Sequence, residues 1–421
     1  MIEILKGGEI FGCIENSKFY IFTAGNFKPS DDLSELLDIL PEGDDLDILK
    51  ANFLCDEIEL FGLLKNTIGD FDFICNDIYK QRLKPFAQGL GIKFDKLGRA
   101  VWHFNESVKI SDESSELRVA RILSPKLSDF KESEQTYPCE LEKSIKVPEC
   151  YMSLKANLRL ESQIFSLSGN QHKLQAVIKN DELCLEYGDM ILKPPNPKYP
   201  FLAINEHLHT SFLRECGFEV PFNAVLWCDE QKDYAFVINR FDIDKNAKKL
   251  PQITLNALMK SPDKYAGSLK EIAQFLASRL EESQKIAFVR YLFINALLYN
   301  ADLHKKNISF IEREIEGKKV LLLSPAYDII NIASIKGIKP FACAFSINGR
   351  QRKIRIKDFE SVFKALDLAC DESVLADIAS VYEQKYPLYL EGLKCFSHFD
   401  GRFYKQCFRL YYDNMRHLKN F

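Results

Sequence analysis

The chain has 421 residues, 46% apolar and 28% charged, with a net charge of −4 and a pI near 6.1. That is the composition of soluble globular proteins, long enough for two to four domains or one large two-lobed unit. It argues against non-specific binding to nucleic acid or membrane through bulk charge. The opening residues, MIEILKGGEIFG, lack the basic region and long apolar run of a secretory leader. The longest apolar stretch, near 286–299, is broken by Arg290 and Asn295. It falls short of the ~20 residues of a membrane span. None of the 12 cysteines forms a C-x-x-C pair, and Cys184, Cys216 and Cys343 sit inside apolar segments. They read as reduced thiols of a cytoplasmic protein, not as zinc ligands or a disulfide framework.

In chain order, EIFGCIENSKFYIFTAG predicts a hairpin with its turn at ENSK. Helical spacing follows in DDLSELLDIL and DEIELFGLLKNTIG, and the charged stretch from about 108 to 145 reads as surface connector. From about 160, short strand-like runs alternate with the breaks SGNQH, KNDE and YGD, an antiparallel meander. FLAINEHLHTSFLRECG predicts a helix stopped by Gly217, and AVLWCDEQKDYAFVINRFD another strand pair. Helices dominate from about 250. SQKIAFVRYLFINALLYN is apolar nearly all round and predicts a central buried helix. Two short strands, NISFIE and KKVLLLS, precede further helices. A β-rich half followed by a helical half is an α+β, two-lobed plan.

The buried helix runs into YNADLHKKNISF, which crowds polar groups into a few residues. Asp302 and Asn307 stand five apart between helix and strand, the D-x-x-x-x-N spacing of a kinase catalytic loop. Phosphoryl transfer needs a carboxylate near the attacking hydroxyl and oxygen ligands for magnesium, and this short loop aims both at one place. His304 and Lys305 or Lys306 are suited to phosphate oxygens. Read alone, the same residues also serve caps and turns. Asp328, in VLLLSPAYDII after a hairpin, stands where a kinase has its second metal-binding Asp. Lys193 ends the strand GDMILKPP, as a phosphate-holding Lys does, and Glu206 on the next helix is its candidate partner. FSLSGNQHKLQ is a strand–turn–strand whose backbone N–H groups are suited to phosphates. It matches neither familiar glycine-rich nucleotide loop.

Taken in order, SLSGNQHKL, ILKPP, NEHLHTSFLRECGFEVP, VINRFD, NADLHKKNISF and LSPAYDII resemble the HipA family of serine/threonine kinases, the toxin halves of bacterial toxin–antitoxin pairs. LLDILPEGD and FGLLKNTIG also look like that family's N-terminal subdomain, with DFDFICND in place of its small-residue ending. The resemblance implies a two-lobed protein-kinase-like α+β fold. Its parts would be an N-terminal subdomain with connector over 1–150, a β-rich lobe with the ATP loop over 151–245, and a helical lobe with the catalytic loop over 246–421. By position it implies Asp302 as catalytic base or hydroxyl-orienting carboxylate, and Asn307 and Asp328 as magnesium ligands. ATP would be held by Ser168, Gly169, Asn170, Gln171, His172, Lys173 and Lys193. His304, Lys305 and Tyr327 would line the nucleotide site, and Asn239, Arg240 and Phe241 would supply the adenine hinge. Ser166 or Ser168 would be the autophosphorylation site, where about two negative charges beside the ATP loop act as an off-switch.

The implied activity is ATP- and Mg-dependent phosphorylation of a translation-related protein such as an aminoacyl-tRNA synthetase, arresting growth. The implied partner is a HipB-like helix-turn-helix antitoxin, with DNA met only through it and no membrane. The stretch 336–357 has seven Lys or Arg and no acid. It reads either as a solvated hairpin or as a patch near operator DNA. Two further readings stay open. DLHKKN also resembles the loop of phosphatidylinositol-type kinases, which would make the acceptor a non-protein hydroxyl. A non-catalytic corepressor scaffold for an antitoxin is the other.

Overall fold

The computed structural model describes residues 2–15, 18–30, 71–75, 93–94, 100–101, 137–141, 173–179, 182–184, 189–196, 199–228, 231–243, 250–261 and 263–418. At the N-terminus, strands β1 (Ile2–Lys6), β2 (Glu9–Glu15), β3 (Lys18–Thr23), β4 (Asn26–Pro29) and β5 (Phe71–Cys75) form an antiparallel sheet in the order β4-β3-β2-β1-β5. The predicted hairpin is β2–β3. The helices expected at 31–40 and 56–69 lie outside the described residues. Two short strands, β6 (Lys93–Phe94) and β7 (Ala100–Val101), pair with each other.

The second sheet carries half of the site. It comprises β8 (Glu140–Leu141), β9 (Leu174–Lys179), β10 (Glu182–Cys184), β11 (Met190–Lys193), β12 (Asn223–Cys228) and β13 (Asp233–Asn239), ordered β10-β9-β11-β13-β12-β8. All neighbours are antiparallel except β12–β8. β13 is buried along almost its whole length, as its unbroken run DYAFVIN requires of a strand covered on both faces. Helix α1 (Leu202–Phe212) packs on β12 and β13. Every residue of α1 is buried, because α6, described below, covers its other side. The helix ends five residues before Gly217. Residues 213–217 wind on with i→i−3 bonds (Arg214 N–H to Ser211 O, 3.2 Å; Gly217 N–H to Arg214 O, 2.9 Å), so the stop is a tight coil and not one capped turn.

In the helical half, β14 (Gln252–Thr254), β15 (Ser309–Ile315) and β16 (Lys318–Leu323) form a small antiparallel sheet, of which β14 is an addition to the predicted hairpin. The helices are α2 (Leu255–Leu258), α3 (Leu269–Ala277), α4 (Glu282–Leu297), α5 (Glu360–Ala365), α6 (Ser373–Gly392) and α7 (Gly401–Leu418). α3 starts at a capping box in which Ser268 Oγ accepts from Glu271 N–H and Glu271 returns the bond to Ser268 N–H. α4 is the predicted central helix. Phe288 and Phe293 are fully buried in it, each worth ~1.5–3 kcal/mol of apolar burial. No described helix is long and apolar enough to cross a membrane.

The polar residues after α4 first close the helix. Tyr299 takes the left-handed conformation at φ 56°. Asn300 N–H bonds Asn295 O at 2.9 Å and Tyr299 N–H bonds Ala296 O at 3.2 Å. That is a Schellman-type ending with tyrosine where glycine is usual. Asn300 is buried and donates its side-chain amide to Asn295 Oδ1 at 2.8 Å. The chain therefore leaves the helix in one fixed direction, straight into Asp302.

Candidate active site

Residues from both halves meet around a cavity of about 440 Å³. Lys193 and Glu206 line it from the sheet side, Asn239 to Asp242 from the connection between the halves, and Asp302, Asn307, Tyr327 and Asp328 from the helical side.

At its centre is a buried charge cluster. The Lys193 Nζ lies 2.6 Å from Glu206 Oε1 and also donates to Asp328 Oδ1, 135 residues away in sequence. Lys173 reaches Asp328 Oδ2 at 3.5 Å. Burial alone would raise the Asp328 carboxyl, but Lys173 and Lys193 outweigh it and hold the group below the usual carboxylate range. Burial opposes the Lys193 charge, yet Asp328 and Glu206 more than compensate and its pKa is raised. Glu206 bears the remaining strain: burial pushes it up to about 7 despite Lys193. Its Oε2 is buried with no partner among the described residues. Asp328 itself sits at φ 53°, a backbone region where Asp is tolerated better than most side chains.

Residues of the Asp302–Asn307 loop line the same cavity as this cluster. The Asp302 side chain is 43% exposed. Its backbone oxygen accepts from His304 N–H at 2.7 Å and from Asn307 Nδ2 at 3.0 Å. The second bond turns the Asn307 amide so that Oδ1 is the atom left for the cavity. Asn307 Oδ1 and the Asp328 carboxylate are hard oxygen donors of the kind magnesium takes. Among the described residues no three or more His, Cys, Asp or Glu are grouped so as to hold a metal ion by themselves. Tyr327 is fixed by hydrogen bonds to Ser309 Oγ and to Lys306 O (3.1 Å), and its ring lies 5.3 Å from that of Phe241.

At the connection, Asn239 N–H is bonded to Phe222 O (2.8 Å) and Arg240 N–H to Asp189 O (2.7 Å). The Arg240 guanidinium forks onto Asp242 at 3.0 and 2.7 Å, both side chains buried. Two of the three backbone donors of Asn239–Phe241 are thus already engaged. Ser166, Ser168, Gly169, Asn170, Gln171 and His172 lie outside the described residues.

Lys305 is a correction. The resemblance puts it on the nucleotide, but the one-turn 3₁₀ helix Lys305–Asn307 points it inward. Its ammonium is buried and donates to Ser261 Oγ and to Ala266 O (2.9 Å), and Lys306 lines the cavity in its place. Burial lowers the Lys305 pKa. Tyr265 is an addition: its hydroxyl donates to Asp302 Oδ1 at 2.7 Å. A lone tyrosine in the loop SPDKYAGS carries no sequence signal for that. In the basic stretch, Arg355 forks onto the buried Asp358 (3.2 and 2.9 Å), and Arg350 lies 3.7 Å from the same carboxylate. Two of its seven cations are thus held by Asp358, and a third, Arg352, lies 4.6 Å from the centroid of the Phe341 ring.

A β-rich half and a helical half closing on a Lys–Glu–Asp cluster, with an Asp/Asn loop opposite, define a two-lobed kinase-like α+β fold. Residues 165–386 match the HipA-like C-terminal domain, and the chain belongs to that family. A Haemophilus influenzae relative named "Putative kinase" is 33% identical over 246 residues, covering 55% of this chain and 65% of that one. A similarly named Sinorhizobium fredii protein is 29% identical over 203 residues, covering 43% and 49%. The chain thus spans about half to two thirds of the length of these relatives. Among solved structures, the HipA of Shewanella oneidensis, determined with HipB and operator DNA, superimposes with a TM-score of 0.63. That match covers 99% of this chain and 96% of the other at 14% identity, a likeness of fold.

Proposed function

We propose that the chain is an ATP- and magnesium-dependent kinase that phosphorylates a serine or threonine hydroxyl of a protein. The observation that carries this is the buried Lys193 between Glu206 and Asp328, facing Asp302 and Asn307 across one cavity. An ion-paired lysine of this kind has a fixed ammonium for phosphate oxygens, and Glu206 keeps it from folding away. Asp302 is half-exposed at the mouth, where an acceptor hydroxyl can reach it and give up its proton. Asn307 Oδ1 and Asp328 would hold magnesium, which when bound neutralises charge on the transferring phosphoryl group. Phe241 and Tyr327 offer an aromatic wall for a purine beside the Asn239–Phe241 segment.

Ser166 or Ser168, close in sequence to Lys173, would be the autophosphorylation site that turns the enzyme off. The fold shared with a protein solved together with HipB and operator DNA supports a helix-turn-helix antitoxin as partner. A component of translation is the proposed target, and growth arrest the outcome.

The test is transfer of labelled phosphate from ATP into a bacterial lysate. Wild type should label protein, and Asp302→Ala should reduce labelling at least 100-fold while unfolding at the same temperature, since Asp302 is half-exposed. Equal incorporation by the two would end the kinase reading. Label in lipid vesicles and none in protein would move the acceptor to a non-protein hydroxyl.

A further inference from the structure

Tyr265 stands where an acceptor hydroxyl has to stand. For Asp302 to take the acceptor's proton, that hydroxyl must come within about 2.6–3.2 Å of the carboxylate. The Tyr265 hydroxyl is already there, at 2.7 Å from Oδ1. We infer that Tyr265 is a gate on the acceptor position, holding the carboxylate in the free enzyme and leaving when a substrate hydroxyl displaces it. This deepens the kinase reading and rests on it.

The surroundings support a moving side chain on a fixed backbone. Residues on both sides of Tyr265 are tied to the catalytic loop through Lys305. The Lys305 ammonium bonds Ser261 Oγ and Ala266 O, and its N–H bonds Lys264 O at 3.2 Å. Tyr265 N–H is held by Asp263 Oδ1 at 2.8 Å. The backbone therefore cannot follow a displaced ring. The ring packs against that of His304, with centroids 5.1 Å apart and planes at 85°, and the Lys264 ammonium lies 5.4 Å from its centroid. Tyr265 is nonetheless 48% exposed, so the ring has solvent to swing into.

The gate bears on specificity, because the acceptor present at 55 M is water. A hydroxyl on the protein that covers Oδ1 keeps water from the position where it would be activated and ATP wasted. A peptide replaces the lost bond with its own hydroxyl and adds contacts along the cavity mouth, whereas a lone water adds none. Tyr265 is thus a positioning and discriminating residue, not a catalytic one.

The experiment compares wild type with Tyr265→Phe, which keeps the ring and removes the hydroxyl. Phosphate release from Mg-ATP measures water as acceptor. Transfer to a serine/threonine peptide library measures the peptide as acceptor, and calorimetry measures Mg-ATP binding. The expected result is an about tenfold rise in phosphate release and an about tenfold fall in KM for peptide, the scale of one charged hydrogen bond that no longer has to be displaced. ATP affinity should stay within twofold. Unchanged rates, or a fall in kcat for both acceptors with KM constant, would overturn the gate and leave the kinase reading standing. A wild type that binds no Mg-ATP and transfers no phosphate would remove the kinase reading and the gate with it.

Discussion

Replacing Lys193 by Met removes the ammonium between Glu206 and Asp328, and its effect on stability should depend on pH in a defined way. In the native protein burial has already pushed Glu206 up to about 7, with Lys193 opposing. Folding thus takes up a proton at Glu206 between about pH 4.5, where an unfolded glutamate titrates, and about pH 7. The contribution of Glu206 is intact below that window, declines as pH rises through it and is level above it. In the variant, burial and the Asp328 charge act without the nearest opposing cation, so the carboxyl keeps its proton to higher pH. The decline then continues past pH 7 at about 1.4 kcal/mol per pH unit. The stability gap between wild type and Lys193→Met should be flat from about pH 5 to 7. It should widen as pH rises past about 7, by at most about 1.4 kcal/mol per pH unit. Guanidinium unfolding followed by tryptophan fluorescence at each pH measures the gap. A gap that stays constant from pH 6 to 9 would refute the reasoning.

Lys305→Met leaves Ser261 Oγ and Ala266 O without their buried donor, which should cost about 2–4 kcal/mol in denaturant unfolding. Calorimetry should find its Mg-ATP affinity within twofold of wild type, and a tenfold loss would return Lys305 to the nucleotide. His209 is buried between Asn205 O (2.7 Å) and the Tyr386 hydroxyl (2.8 Å), and burial pushes it down to about 4. The unfolded chain takes its proton first, so this contribution to stability is complete above about pH 6.5 and is lost as pH falls toward 4. His209→Gln should make the acid loss of stability shallower by about 1.4 kcal/mol per pH unit, read from unfolding curves across that range.

Elements with a strong period were legible in the residues. The all-round apolar α4, the two strands after it and the buried run of β13 follow from pattern alone. The Asp302–Asn307 loop was legible from spacing, and Asp328 from the hairpin before it. What spacing cannot supply is rotation about a short turn. Lys305 and Lys306 are adjacent and chemically alike, and one turn of 3₁₀ helix sends the first into the interior and the second to the cavity. Neither can it supply a contact made by a single loop side chain 37 residues away, so nothing in the sequence marks Tyr265. Gly217 marked the end of a coil, but residues 213–217 had already changed hydrogen-bond pattern, a choice that the apolar Leu213 and Cys216 do not announce.

Helix α1 has a consequence for regulation. Many kinases are switched off by swinging the helix that carries the lysine's glutamate partner away from the site. Here that helix is riveted at three points besides Glu206. Asn205 accepts from Asn331 N–H at 2.9 Å and donates to Asn331 O at 3.0 Å, three residues beyond Asp328. His209 is bonded to Tyr386 of α6, and Phe212 is fully buried against the rings of Tyr382, Tyr386 and Tyr389. An outward swing would break these bonds and expose a phenylalanine whose burial alone is worth ~1.5–3 kcal/mol. The helix is a strut between the lobes, and an outward swing of α1 would have to break it.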